Sequence, residues 1–276
     1  MKTLYISDLD GTLLDADVKV SEFTVKAINS LIKKGMYFTV ATARTIATVT
    51  SIMEKVNLNV PIVLMNGVSV YDSVNKVYLK TYIMEKDSMQ RLFSLLKKLN
   101  LSGFVYTIKN NVLNTYFENL DTEHRRNFYE ERTRKYGKVI NKVEDFNDTL
   151  NEDIIYFSTC DKEENLRELY NELLKDTKLN IEFYRDIYLK DYWYLEISSH
   201  NASKYNAVNF LKEKFKFDRV VSFGDNFNDI PMFKASNESY AMLNARDKVK
   251  EKATAIIDFN TNNGVAKWLL ENYKGE

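Results

Sequence analysis

The sequence predicts an α/β protein in which a parallel sheet, layered between helices, is interrupted by an inserted α+β domain. Three observations carry that reading. Short apolar runs alternate with helical patterns at the start of the chain and again at its end, the rhythm of strands joined by crossover helices. The stretch 84–191 has a character of its own, with strands that follow one another directly. The length, 276 residues, is close to twice that of an ordinary domain.

Taken in order, Thr3–Ser7 is an apolar strand. A helical pattern follows through Phe23, Ala27, Ile28, Leu31 and Ile32, with Ser21 as its N-cap and Gly35 as its stop. Residues 36–42 form a second strand, 46–56 a helix, and 61–67 a third strand that ends in a turn. Residues 68–83 alternate about a Ser-Val-Asn turn, as a small antiparallel hairpin does. The inserted stretch opens with a helix over 86–100, then strands near 104–108 and 112–117. A charged helix over 122–135, a strand at 154–159 and a helix at 162–174 come next. Strands at 181–184 and 187–190 close it. The joins fall near 82–85 and 190–193, which gives a core of 1–83 with 192–276 and an insert of 84–191. Beyond the insert the first rhythm resumes: helix 204–214, strand 219–225, helix 230–236, strand 239–243, helix 248–253, strand 255–259 and a closing helix near 265–271.

Composition excludes several classes of function. Hydrophobic residues make up 45% of the chain, and 16 Phe, 18 Tyr and two Trp need a core to house them, so a disordered chain is not expected. Lys and Arg number 39, and so do Asp and Glu. The net charge is zero, and the basic footprint of a nucleic-acid binder is missing. The one cysteine, Cys160, has no disulfide partner and reads as a buried strand-end thiol. No apolar stretch reaches about 18 residues, and the N-terminus lacks the pattern of a signal peptide. The expected setting is therefore cytoplasmic, with no membrane and no obligate protein partner. Only eight Gly and two Pro occur, so asparagines are expected at many turn positions.

Two acidic clusters carry the chemistry. Asp8, Asp10 and Gly11 stand directly after the first strand, where two carboxylates at i and i+2 converge as the chain turns. Carboxyl ends of parallel strands are where such sheets place their sites. Alone, Asp-Leu-Asp-Gly is equally readable as a surface turn. The second cluster, Asp225, Asn228 and Asp229, also follows a strand. Two acidic strand ends repel each other unless a cation or a proton lies between them. Oxygen ligands, without a Cys or His cluster, favour Mg2+ over zinc. The two histidines, His124 and His200, are expected to face solvent. Thr42, at the end of the second strand, offers a hydroxyl and a helix N-terminus to an anion. Lys204, at the start of a helix, brings a positive charge to the same end of the sheet.

With those pieces in order, the sequence resembles the haloacid dehalogenase-like phosphatases of the Cof type. That family has a three-layer Rossmann-like core and a large α/β cap of the C2 type, inserted as the 84–191 stretch is. Its four motifs correspond to "DLDGT" at 8–12, "ATAR" around Thr42, "SKY" around Lys204 and "GDNFND" at 224–229. "MNG" at 65–67, "AMLNA" at 241–245 and "NNGVA" at 262–266 are further matches. The core is matched in residues, the cap in placement and size. Ala43, Tyr205 and Leu243 stand where the family usually has glycine, which bears on substrate fit and removes no reacting group.

The resemblance implies a Mg2+-dependent hydrolase of phosphate monoesters, with a sugar phosphate or another small phosphorylated metabolite as substrate. Asp8 would be the nucleophile and Asp10 the acid and base. Asp8, the backbone carbonyl of Asp10, and Asp225 would hold the metal. Thr42, Lys204 and Asn228 would bind phosphate, Asp229 would orient Lys204 or a metal-bound water, and Arg44 and Asn66 would line the substrate rim. Two alternatives remain open on the sequence: a phosphomutase of the same superfamily, and a non-catalytic sugar-phosphate or metal sensor.

Overall fold

The computed structural model describes residues 1–186 and 191–275. The strand expected at 187–190 lies outside the described residues. The chain divides into two compact units, Met1–Lys80 with Ser203–Glu276, and Thr81–Ala202.

The first unit begins with β1 (Thr3–Ser7), α1 (Glu22–Lys33), β2 (Tyr37–Val40), α2 (Ile46–Ile52), β3 (Ile62–Leu64), β4 (Ser69–Asp72) and β5 (Val77–Thr81). β1 is buried at all five positions, because parallel neighbours flank it and helices cover it. α1 starts where the Ser21 hydroxyl accepts from the Thr24 N–H at 3.1 Å. It buries Ala27, Ile28 and Leu31 at helical spacing and stops at Gly35, whose φ is +100°. Each such Ile or Leu contributes about 1.5–3 kcal/mol by its burial.

The second unit holds α3 (Lys86–Leu99), β6 (Phe104–Lys109), β7 (Val112–Phe117), α4 (Glu123–Tyr136), β8 (Ile140–Lys142), β9 (Asp153–Lys162), α5 (Glu163–Leu173), β10 (Leu179–Arg185) and β11 (Tyr192–Ser199). Its sheet runs β10-β11-β9-β6-β7-β8. Met89, Leu92, Phe93 and Leu96 of α3 and Leu166, Leu169 and Leu173 of α5 form one core with Val105, Phe157, Leu195 and Ile197 of the sheet.

The sequence reading places 81–83 and 192–202 with the first unit, and the structure places them with the second. β11 is paired antiparallel along its length with β9 on one side and β10 on the other. Its Trp193, Leu195 and Ile197 belong to the core of the second unit. Cys160 is buried in β9. His124 is not turned to solvent as expected. It stacks on Tyr192, with centroids 5.3 Å apart, and its Nε2 lies 3.3 Å from the Tyr194 hydroxyl.

The first unit resumes with α6 (Lys204–Phe215), β12 (Arg219–Gly224), α7 (Ile230–Ala235), β13 (Glu238–Met242), α8 (Asp247–Lys250), β14 (Ala255–Ile257) and α9 (Gly264–Asn272). Its main sheet is parallel, in the order β14-β13-β12-β1-β2, and a bridge from Ala41 to Val63 continues it towards β3. Helix pairs α1 with α9 and α6 with α7 complete the three layers. The chain steps from β1 to β2 on one side and returns to β12 on the other. The strand order therefore reverses between β1 and β12, the place where open α/β sheets form their crevice. Asp8 directly follows β1, and Asp225 directly follows β12.

Among the described residues, asparagine takes many of the left-handed positions that a glycine-poor chain must fill. Asn66, Asn100, Asn110, Asn111 and Asn263 all have φ between 50° and 63°. Asn110 and Asn111 form the two-residue turn between β6 and β7, where both central residues need positive φ.

Candidate active site

Every residue singled out for chemistry lies in the first unit, at the carboxyl ends of β1, β2, β3 and β12 or at the start of α6. The Asp8 N–H donates to the Phe223 carbonyl at 2.9 Å and ties the two central strand ends together. The chain then turns sharply. Asp10 (φ −72°, ψ 122°) and Gly11 (φ 74°, ψ 0°) have the dihedrals of a type II turn, which needs glycine at its second central position. Gly11 is required twice over, because a Cβ there would stand 2.4 Å from Oδ2 of Asp225. Asn244 holds the turn from outside, its side-chain amide donating to the Gly11 carbonyl at 2.8 Å.

Asp8, Asp225 and Asp229 each place a carboxylate oxygen within 4.8 Å of the others. Lys204 sits among them with its side chain fully buried, and Nζ is 2.6 Å from Asp8 Oδ1 and 2.6 Å from Asp229 Oδ1. Burial alone would drive the ammonium towards its neutral form. The charges of Asp229 and Asp8 outweigh that effect and hold its pKa above the ordinary lysine value. Burial pushes the Asp8 carboxyl well above the usual carboxylate range. The neighbouring charge of Asp229 adds to that shift, and Lys204 opposes it. Burial and then Asp229 raise Asp225 to about 6, against a hydrogen bond from Thr12. Three carboxylates face one ammonium, so the cluster carries excess negative charge in a buried place. Hard oxygen donors with that surplus fit a divalent cation of the Mg2+ type.

Asp229 is committed within the protein. Its Oδ1 accepts from Lys204, and its Oδ2 accepts from the N–H groups of Asp225 at 2.9 Å and Asn226 at 3.1 Å. Gly224 makes room for it, since a Cβ there would lie 2.6 Å from Cβ of Asp229. Asp225 receives the Thr12 hydroxyl on Oδ1 at 2.9 Å.

The "MNG" turn positions Lys204. Met65, Asn66 and Gly67 are three successive residues with positive φ, and a Cβ on Gly67 would stand 2.1 Å from the Ser203 carbonyl. The turn can thus lie directly against the start of α6, where Ser203 caps the helix by accepting from the Asn206 N–H at 3.1 Å. Thr42 is buried, and its hydroxyl accepts from the Arg44 N–H at 3.2 Å. Asn228 donates to the Asn66 side chain at 3.0 Å. Ala43 is absent from the positive-φ residues, so the alanine adds no left-handed strain. Tyr205 and Leu243 are exposed.

Two placements were not foreseen. Asp10 lies outside the carboxylate cluster, its side chain 50% exposed and paired with Arg44. The metal role expected of Asp10 involves its backbone carbonyl, on which the side-chain cluster does not bear. Thr12 and Asn244 support the site although no role was assigned to them. Their signal was present, since both lie inside the motifs "DLDGT" and "AMLNA".

The chain matches the family model described as haloacid dehalogenase-like hydrolase over residues 5–269. It is 28% identical over 269 residues to a 5-amino-6-(5-phospho-D-ribitylamino)uracil phosphatase of Bacillus subtilis, covering 95% of this chain and 94% of that one. An X-ray structure of a Thermotoga maritima protein superposes with a TM-score of 0.81 at 25% identity, covering 100% and 99% of the two chains. A haloacid dehalogenase-like hydrolase from Bacteroides thetaiotaomicron gives 0.81 at 20% identity, over 99% and 100%, and supports the fold alone. Paired aspartates at neighbouring strand ends, a buried lysine between them and a family match across nearly the whole length lead to one conclusion: the chain belongs to the haloacid dehalogenase-like hydrolases.

Proposed function

We propose that this phosphatase hydrolyses the phosphate monoester of a sugar or another small metabolite, with Mg2+ as its cofactor and a phosphoryl group carried transiently on Asp8. The observation that supports this reading best is the buried Lys204, which holds Asp8 and Asp229 together beside Asp225.

Asp8, at the end of a rigid central strand, presents a carboxylate oxygen to phosphorus. As that bond forms, the bond from phosphorus to the leaving oxygen breaks, and Asp10 supplies a proton to the leaving oxygen. In the second half Asp10 takes a proton from water as the water oxygen attacks phosphorus, and the bond to Asp8 breaks. Lys204, Thr42 and Asn228 hold the phosphoryl oxygens over which charge spreads. Asp229 keeps Lys204 in place. Asp8, the Asp10 carbonyl and Asp225 would hold Mg2+, which when bound offsets the repulsion between an anionic nucleophile and an anionic phosphate.

The unit formed by residues 81–202 is read as the part that sets substrate choice. The B. subtilis relative named above suggests a phosphorylated ribityl compound. A second relative, a pyridoxal phosphate phosphatase of Escherichia coli, is 23% identical over 280 residues and suggests pyridoxal phosphate. Both belong in a substrate panel beside the sugar phosphates.

Purified protein assayed on para-nitrophenyl phosphate gives the first test. Turnover that needs Mg2+ and stops with EDTA is expected, and full activity after exhaustive chelation contradicts the reading. The metabolite panel then identifies the substrate class by kcat/KM.

A further inference from the structure

The fork of the Arg44 guanidinium is already engaged. Nε donates to Asp10 Oδ2 at 2.8 Å and Nη2 to Oδ1 at 2.5 Å, the two-point pairing that a planar guanidinium makes with a carboxylate. The backbone on each side is fixed. Asp10 is the first central residue of the turn that Gly11 completes. The Arg44 N–H donates to the Thr42 hydroxyl at 3.2 Å, and its carbonyl accepts from the Met65 N–H at 3.1 Å. The two residues therefore meet through side-chain rotamers, with their main chains already held.

Exposure is divided unevenly. The Arg44 side chain is 19% exposed, against 50% for Asp10. An open carboxylate on a single-bonded stem has several rotamers available, and proton transfer needs one of them. The anchored guanidinium selects an orientation. A pair this open to water is held weakly enough for one of its two contacts to open while the other remains. The contact that remains keeps the carboxylate's direction. Lysine offers one point of contact and cannot do both.

We propose that Arg44 is a positioning residue that acts through Asp10, orienting the carboxylate which passes a proton to the leaving oxygen and later takes one from water. In this role Arg44 does not contact the metabolite end of the substrate, which is where the sequence alone placed it. The inference rests on the assignment of Asp10 as acid and base in the proposed phosphatase reaction.

A double-mutant cycle tests it: wild type, Arg44→Ala, Asp10→Asn and the double variant, each assayed with Mg2+ for kcat and KM on phenyl phosphate. Phosphoenzyme formation is followed in a single turnover wherever steady-state rates are too low. Arg44→Ala is expected to lower kcat about tenfold or more in the wild-type background, with KM little changed. In the Asp10→Asn background the same change is expected to cost less than about twofold. Arg44→Lys, which keeps the charge and loses the fork, should resemble Arg44→Ala. An equal loss in both backgrounds, a rise in KM at constant kcat, or full rescue by lysine would overturn the proposal. The Asp10→Asn arm reports separately on the underlying reading, because unimpaired turnover there would remove Asp10 from the chemistry altogether. Melting curves of all variants show whether any loss comes from unfolding instead, and Arg44→Lys supplies the comparison if Arg44→Ala melts early.

Discussion

The carboxylate of Asp225 lies where a side chain on Gly11 would be, with Oδ2 at 2.4 Å from the position of a Cβ. The turn after β1 and the acidic end of β12 are thereby fitted to each other. Gly11→Ala must move Asp225 and also force alanine to φ 74°, a conformation that costs an L-residue about 1–2 kcal/mol. The expected result is a lower melting temperature together with a loss of turnover of at least about tenfold, because Asp225 is displaced from Asp8. Wild-type kcat in this variant would show that the close approach has no catalytic consequence.

Among the described residues, Lys204 is the basic partner of the buried Asp8 and Asp229 carboxylates. Lys204→Met keeps much of the volume and removes the charge, leaving two buried anions without their counter-charge. Breaking a buried pair in this way costs about 3–5 kcal/mol. A clear fall in unfolding free energy by urea titration is expected, partly restored by added Mg2+, with turnover reduced by about 10² or more. A variant as stable as wild type would mean that the carboxylates find another partner.

In the second unit, Glu196 of β11 stands directly opposite Glu182 of β10 and is hydrogen-bonded by Tyr156 and Tyr184. Burial first, and the charge of Glu182 second, push its carboxyl up to about 7. Its pKa in the folded chain then exceeds the ordinary unfolded value, so the folded state binds the extra proton between the two. The contribution to stability is complete below the unfolded value and is lost as pH rises through about 7. Across that window the wild type should lose thermal stability relative to Glu196→Gln, which has no proton to release. Parallel melting curves for the two proteins from acid to alkaline pH would refute the assignment.

The parts of this molecule set by local pattern were legible before the structure. β1 reads as apolar without alternation because both faces are covered, and Ser21, Gly35 and the acidic strand ends announce their roles within a few residues. β11 was not read as a strand. Its Trp193, Leu195 and Ile197 do alternate with Tyr194, Glu196 and Ser198, but the glutamate at its centre interrupts the apolar run that marks a buried strand. That misplacement carried the second join with it, to Asp191 in place of Ala202. The pairings least visible in sequence were side-chain contacts between distant strand ends. Arg44 with Asp10, and Asn66 with Asn228, are set by the order of strands in the sheet and by rotamers, and no local spacing encodes them. For Asp229 the family resemblance implies two roles, orienting Lys204 or a metal-bound water. The three hydrogen bonds on its two oxygens favour the lysine-orienting one.

The account turns on Asp8 as the residue that accepts the phosphoryl group. The most direct measurement is to quench the enzyme in acid during a single turnover of para-nitrophenyl phosphate, digest it, and locate the phosphoryl group by mass spectrometry. A phosphoryl group on Asp8, removed by neutral hydroxylamine as an acyl phosphate is and absent from Asp8→Asn, is the result expected. A phosphoryl group on another residue, with Asp8 unmodified, would contradict it.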